Sequence, residues 1–176
     1  MLSGASIVRR QIVRNLRSVT QQEQPCGVDL TLLRVHAWTS PATIDFNNTR
    51  RQAAKTTEVL FEDDTVKLEQ GAYRVDFNED VQMPRDCMGS LFGRSTLWRS
   101  GVTVQAGIVD AGYEGALGAV LEVKNSAGVY LLRGAKLAQM VVYPLQEAVE
   151  GYCGIYQSSA DSAGLHGKGI VDETVQ

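Results

Sequence analysis

Beyond Gly27 the chain never runs far between turns. Residues 28–32 alternate apolar and polar side chains, residues 33–38 carry the strand on, and further short runs follow at 43–46, 58–61, 65–68, 73–77 and 88–92. Residues 102–105, 117–123, 129–132 and 136–143 continue the series. Turn chemistry separates them, at Asp63-Asp64, Gln70-Gly71, Asn78-Glu79-Asp80 and Asn125-Ser126-Ala127-Gly128. Many short period-two runs with almost no helical stretch predict an all-β sandwich, jelly roll or barrel.

Helix is expected only at the start. Residues 3–17 place Ile7, Val8, Ile12 and Leu16 on one face, with Ser3 or Ser6 as cap. Arg9, Arg10, Arg14 and Arg17 lie in the same stretch, and no acid precedes Glu23. A mitochondrial presequence shares that profile, but a folded helix with a solvated basic face is the expected reading. The setting expected is cytoplasmic, with mitochondrial or nuclear placement as the alternatives. At 176 residues the chain fits one domain, taken as 1–158, followed by a flexible Gly- and Ser-rich tail over 159–176. Residues 47–57 read as an exposed polar loop.

Charge and composition remove several functions. A net charge of −3 gives no positive field for nucleic acid, and no run reaches the roughly 20 apolar residues of a membrane helix. Cys26, Cys87 and Cys153 form no CxxC, and His36 and His166 are the only histidines. A Cys/His zinc centre and a Ser-His-Asp triad therefore both lack material.

The chemistry sits between Met83 and Gln139. Gly93-Arg94-Ser95-Thr96-Leu97 sets a forked cation and two hydroxyls at a turn or helix start, donors that suit phosphate. Gly107-Ile108-Val109-Asp110-Ala111-Gly112-Tyr113-Glu114-Gly115 puts an acid at the end of an apolar run and an aromatic three residues later. Either alone fits ordinary capping or an ordinary hairpin.

Taken in order with Pro25-Cys26-Gly27-Val28-Asp29-Leu30 and Gly134-Ala135-Lys136-Leu137-Ala138-Gln139, these segments resemble the dUTPase and dCTP deaminase superfamily. Met83-Pro84 and Tyr152-Cys153-Gly154-Ile155-Tyr156-Gln157 resemble its deaminase-like branch. The resemblance implies a distorted jelly roll, a homotrimer with sites shared between subunits, and a deoxynucleoside triphosphate substrate with Mg²⁺. It implies Asp110 as the group that activates water. Arg94, Ser95, Thr96 and Gln139 meet the triphosphate, Gly107 and Tyr113 form the nucleoside site, and Tyr156 and Gln157 join them. Asp29 reaches the metal through water. No nucleic-acid or membrane partner is implied.

Two chemistries share that fold. Members that deaminate dCTP carry a proton-handling Glu at the position that is Val120 here. Glu122 lies two residues on, about 6.5 Å along a strand, too far for proton transfer in an unchanged site. The Lys usual before the Tyr-Gln pair is Gly154. The expected activity is thus dUTP hydrolysis to dUMP and pyrophosphate. A dCTP deaminase, a bifunctional enzyme and a non-catalytic trimeric nucleotide-binding protein are the alternatives. Backbone groups of the hairpin after Tyr113 are expected to read uracil. The tail is expected to close over nucleotide; it lacks the usual stacking Phe, and either His166 stacks in its place or the tail stays disordered.

Overall fold

The computed structural model describes residues 1–162, and they are nearly all β. Ser3 caps α1 (Gly4–Arg9), its hydroxyl accepting from the Ser6 N–H at 3.3 Å. The expected helix over 3–17 stops there. Gln11 and Asn15 take left-handed φ of 53° and 59°, and β1 (Val13–Arg14), α2 (Val19–Gln22) and β2 (Glu23–Gln24) follow. A lone short helix is marginal, whereas Val13 gains a strand partner in Val81 and Ile12 becomes fully buried. The Leu2 N–H donates to the Val142 carbonyl at 2.8 Å and Ile7 is fully buried, so this segment is built into the core.

The remaining elements are β3 (Gly27–Trp38), β4 (Thr56–Val59), β5 (Thr65–Leu68), β6 (Gly71–Gln82), β7 (Cys87–Gly93) and α3 (Ser95–Arg99). They continue with β8 (Val102–Gln105), β9 (Ile108–Val109), β10 (Glu114–Val123), β11 (Val129–Leu132) and β12 (Lys136–Pro144). One antiparallel sheet runs β8-β10-β6-β3-β12-β7-β9, with β1 added to β6 and with β2 and β4 added to β3. β5 and β11 pair separately. The sheet curls until β7 meets β8: a Cβ at Gly93 would stand 3.5 Å from Val104. Leu30, Leu32, Val35, Val75, Leu121 and Met140 fill the interior, all fully buried. Among the described residues no helix is long and apolar enough to cross a membrane.

One strand expectation and one turn expectation fail for identifiable reasons. Residues 43–46 form no strand, since Thr43 has only an isolated bridge to Gln52 and Ile44 and Phe46 stay exposed. Asn78-Glu79-Asp80 is not a turn but lies within β6. Its polar side chains find partners there, so strand pairing prevails over turn propensity. The Asn78 amide donates to the Leu32 carbonyl at 3.1 Å. The buried Glu79 carboxylate accepts from Thr31 N–H (2.8 Å), Thr31 Oγ1 (2.6 Å) and Gln22 Nε2 (2.7 Å).

Among the described residues no cation pairs with Glu79, so its charge rests on these donors. Glu79→Ala strands them without solvent and should cost about 3 kcal/mol or more. Thermal unfolding should register a fall of roughly 6–12 °C in Tm. A change within 2 °C, on the order of a surface substitution, would show that the donors find other partners.

Candidate active site

Two groups of side chains emerge from this fold. The first is the hairpin leaving β9. Asp110 follows directly on that strand, and its carbonyl accepts the Tyr113 N–H at 3.1 Å. Gly112 makes the turn at φ 76°, where a Cβ would come 2.5 Å from the Gly151 Cα. The turn is then locked to Met83, which accepts from Gly112 N–H at 3.0 Å and donates to the Tyr113 carbonyl at 2.8 Å. The Tyr113 hydroxyl donates to the Ala116 carbonyl at 2.9 Å, and its ring stands edge-on to Tyr152 with centroids 5.6 Å apart. Burial raises the Tyr113 pKa, so the hydroxyl keeps its proton.

Asp110 is exposed at the edge of a cavity of about 260 Å³, walled by Gly107, Tyr113, Leu117, Tyr152 and Tyr156. A second cavity of about 420 Å³ shares Gly107, Tyr113 and Tyr156 with it. Gln157 braces the hairpin, accepting from Glu114 N–H at 3.2 Å and donating to the Gly112 carbonyl at 3.0 Å. The Arg51 guanidinium lies 5.1 Å over the Tyr156 ring and bonds its hydroxyl. Of residues 159–176, Ser159–Ser162 lie along β10 and β6, with the Ala116 N–H donating to the Ser159 carbonyl at 3.0 Å. The expected lid and His166 lie outside the described residues.

The second group lies where β3, β12 and β7 run side by side. Asp29 on β3 is in register with Gln139 on β12, which faces Phe92 on β7. Asp29 is fully buried between two cations, with Arg94 Nε 3.3 Å from Oδ1 and Lys136 Nζ 3.4 Å from Oδ2. Gln24 Nε2 also donates to Oδ2, at 3.1 Å. Arg94 is the N-cap of α3, tied by its N–H to the Leu137 carbonyl at 3.0 Å, and leaves Ser95 and Thr96 exposed at the first turn. Gln139 Nε2 donates to the Cys26 carbonyl at 2.8 Å. Lys136 belongs to the Gly134–Gln139 segment, which by itself assigns it no role; pairing of β12 with β3 brings its charge beside Asp29.

The fold thus gathers Asp29, Arg94, Ser95, Thr96 and Gln139 in one place, and Gly107, Asp110, Tyr113 and Tyr156 in another. Neither of these two cavities is lined by any of the first five. Among the described residues no side-chain hydrogen bond or ion pair joins the two groups. No cluster of three or more His, Cys, Asp or Glu could cage a metal there either. Asp29 Oδ1, buried and without a hydrogen-bond donor, fits the water shell of an ion whose inner ligands come from phosphate.

Position 120 is settled by register. β10 has an irregularity between Ala116 and Gly118 and is regular beyond it, so Val120 and Glu122 share a face. Val120 lines the larger cavity. Glu122 accepts from Thr103 Oγ1 at 3.3 Å and pairs with Lys124 at 3.4 Å, and it lines neither cavity.

A curled antiparallel sheet that carries an Asp-bearing glycine hairpin and an Arg-Ser-Thr turn defines the dUTPase and dCTP deaminase superfamily. Residues 1–145 match the model of its dCTP deaminase-like family, and the chain belongs to that family. It is similar to a probable deoxyuridine 5'-triphosphate nucleotidohydrolase of Methanosarcina acetivorans, 36% identical over 149 residues, with 84% of this chain and 87% of that one covered. The deoxyuridine 5'-triphosphate nucleotidohydrolase of Methanocaldococcus jannaschii is 30% identical over 139 residues, or 78% of this chain and 88% of its own. A 2'-deoxycytidine 5'-triphosphate deaminase structure from Agrobacterium tumefaciens superposes with a TM-score of 0.62 over 80% of this chain and 46% of that one. At 17% identity that likeness shows the shared fold.

Proposed function

We propose that the protein hydrolyses dUTP to dUMP and pyrophosphate. Val120 carries this reading: the cavity wall has an alkyl group where cytosine deamination needs a carboxylate, and Glu122 is engaged elsewhere. The relatives named as dUTP nucleotidohydrolases support it.

The residues divide the work by their chemistry. Asp110 orients a water and takes its proton as the oxygen attacks the α-phosphorus in line. The new P–O bond forms as the bond to the bridging oxygen breaks, and pyrophosphate departs. Arg94, with Ser95, Thr96 and the Gln139 amide, meets the negative charge that grows on the phosphates. Tyr113 lies beneath the deoxyribose, Gly107 gives its backbone to the nucleoside, and Tyr156 closes the wall. Gln157 holds the hairpin in shape. Asp29 would hold Mg²⁺ through water, and the ion would supply positive charge to the triphosphate.

The two groups lie apart on one chain, so the complete site takes Asp110 from one subunit and Arg94 from another. A homotrimer supplies that arrangement and also covers exposed strand edges.

Incubation with dUTP and with dCTP, each with Mg²⁺, followed by separation of products, tests the function. dUMP and pyrophosphate from dUTP are expected. Formation of dUTP from dCTP without hydrolysis of added dUTP would replace the reading with a deaminase, and no turnover of either would leave a binding protein. Glu122→Gln should keep kcat/KM for dUTP within about threefold, as expected for a residue outside the reaction. If the parent deaminates dCTP and this variant does not, Glu122 has the role denied to it here.

A further inference from the structure

We propose that Arg74 donates hydrogen bonds to the 4-oxo group of the base, and that this side chain separates dUTP from dCTP. The inference rests on the dUTP reading above and adds a side chain to the backbone recognition expected of the hairpin.

Register places Arg74 at the site. On β10, Val120 pairs with Gln105 of β8 on one side and with Arg74 of β6 on the other, and Arg74 pairs in turn with His36 of β3. Residues directly opposite on antiparallel strands face the same way, with Cβ atoms about 4.5–5.5 Å apart. Gln105, Val120 and Arg74 therefore form one wall of the cavity of about 420 Å³ that continues past Gly107 and Tyr113. Ala106, Ala116 and Gly118 line the same space with little bulk, which leaves room for a flat ring.

Arg74 is the one cation among the described residues lining that cavity, and its side chain is only 15% exposed. A charge so far removed from water needs partners. Asp76 stands beside it, with Oδ1 3.8 Å from Nε, and Nε has no hydrogen bond. Asp76 is meanwhile bonded by His36 Nε2 at 3.1 Å and by the Ser162 hydroxyl. Asp76 thus offsets charge while Nε stays without an acceptor.

The guanidinium fork only donates. Uracil offers an acceptor at position 4, and cytosine offers a second donor there. Facing cytosine, Arg74 and the 4-amino group would both be left unmet inside the wall. Val120 takes part by doing nothing: a carboxylate at 120 would lie directly against Arg74 and draw the guanidinium to itself. The residue that removes deaminase chemistry also leaves Arg74 available to the base.

The test compares dUTP with its 4-deoxy analogue, the triphosphate of 2-pyrimidinone deoxyribonucleoside, and with dCTP as competitor. Wild type should prefer dUTP over the analogue, which lacks both the 4-oxo acceptor and the N3–H donor, by about 10–100-fold or more in kcat/KM, mostly through KM. Arg74→Met should shrink that preference by about tenfold or more, the share owed to the 4-oxo group, and bring the dCTP inhibition constant toward the KM for dUTP. Its kcat should stay within a few-fold, because Asp110 is untouched. Arg74→Lys keeps a donor and should retain part of the preference. Equal use of dUTP and analogue by wild type overturns the proposal, and needs no variant to fold. An Arg74→Met protein that loses dUTP and analogue in parallel overturns it too, showing support of the wall rather than reading of the base. If wild type turns over neither, dUTP hydrolysis itself has failed. Equilibrium binding of dUMP against 4-deoxy-dUMP then still decides on Arg74, a ratio near one refuting it.

Discussion

Asp110→Asn should lower dUTP turnover by about 10²–10⁴-fold, the usual loss when a general base is removed. Binding of dUMP should stay within about threefold, because the substitution removes charge and basicity but little shape. The structure supports that separation. Asp110 holds the turn through its backbone carbonyl, which accepts from the Tyr113 N–H, and its side chain is exposed at the cavity edge. Gly112, Met83 and Gln157 fix the hairpin without using the carboxylate. Steady-state kinetics with titration of dUMP measure both halves. A variant that keeps most of its activity would make Asp110 a hairpin residue and leave the attacking water without a base.

Where the sequence was legible, one physical pattern dominated locally. β10 buries Gly115, Leu117, Ala119, Leu121 and Val123, and its short apolar run bounded by turn residues marks it as a strand from the letters alone. The Gly107–Gly115 stretch was legible because a left-handed turn at Gly112 admits few other residues. Failures came where partners distant in sequence decide. Nothing near Val13 announces that Val81 will pair with it and end a helix. Glu79 reads as a turn residue until Thr31 and Gln22, far from it in the chain, enclose its carboxylate. The resemblance makes Gln157 a substrate ligand, and the structure adds the hairpin backbone as partner to both ends of its amide, a contact no local pattern announces. Arg74 is one charge in an alternating run, and only the register of three strands sets it on a cavity wall.

Mixing two inactive variants should restore activity, and this follows from the division of the site across the fold. Arg94→Ala removes a donor to charge that grows in the transition state and should cost about 10²–10³-fold. Lys136 and Gln24 still hold Asp29, so the variant should fold. In a trimer whose sites each join Arg94 of one subunit to Asp110 of another, random mixing of Arg94→Ala with Asp110→Asn chains makes about a quarter of the sites wholly native. Co-expressed chains carrying different tags, purified through both, should then recover up to tens of per cent of wild-type turnover from parents that each retain about one per cent or less. The double variant Arg94→Ala/Asp110→Asn, co-expressed with either single variant, should recover nothing, since no site can then hold both native groups. Activity equal to the sum of the parents, with a trimer seen by sedimentation, would place Arg94 and Asp110 in one chain's site. The separation of Asp29, Arg94 and Gln139 from the Asp110 hairpin would then have to close by movement within the subunit. The braces on that hairpin argue against such movement, because Met83, Gly151 and Gln157 all hold it to its own chain.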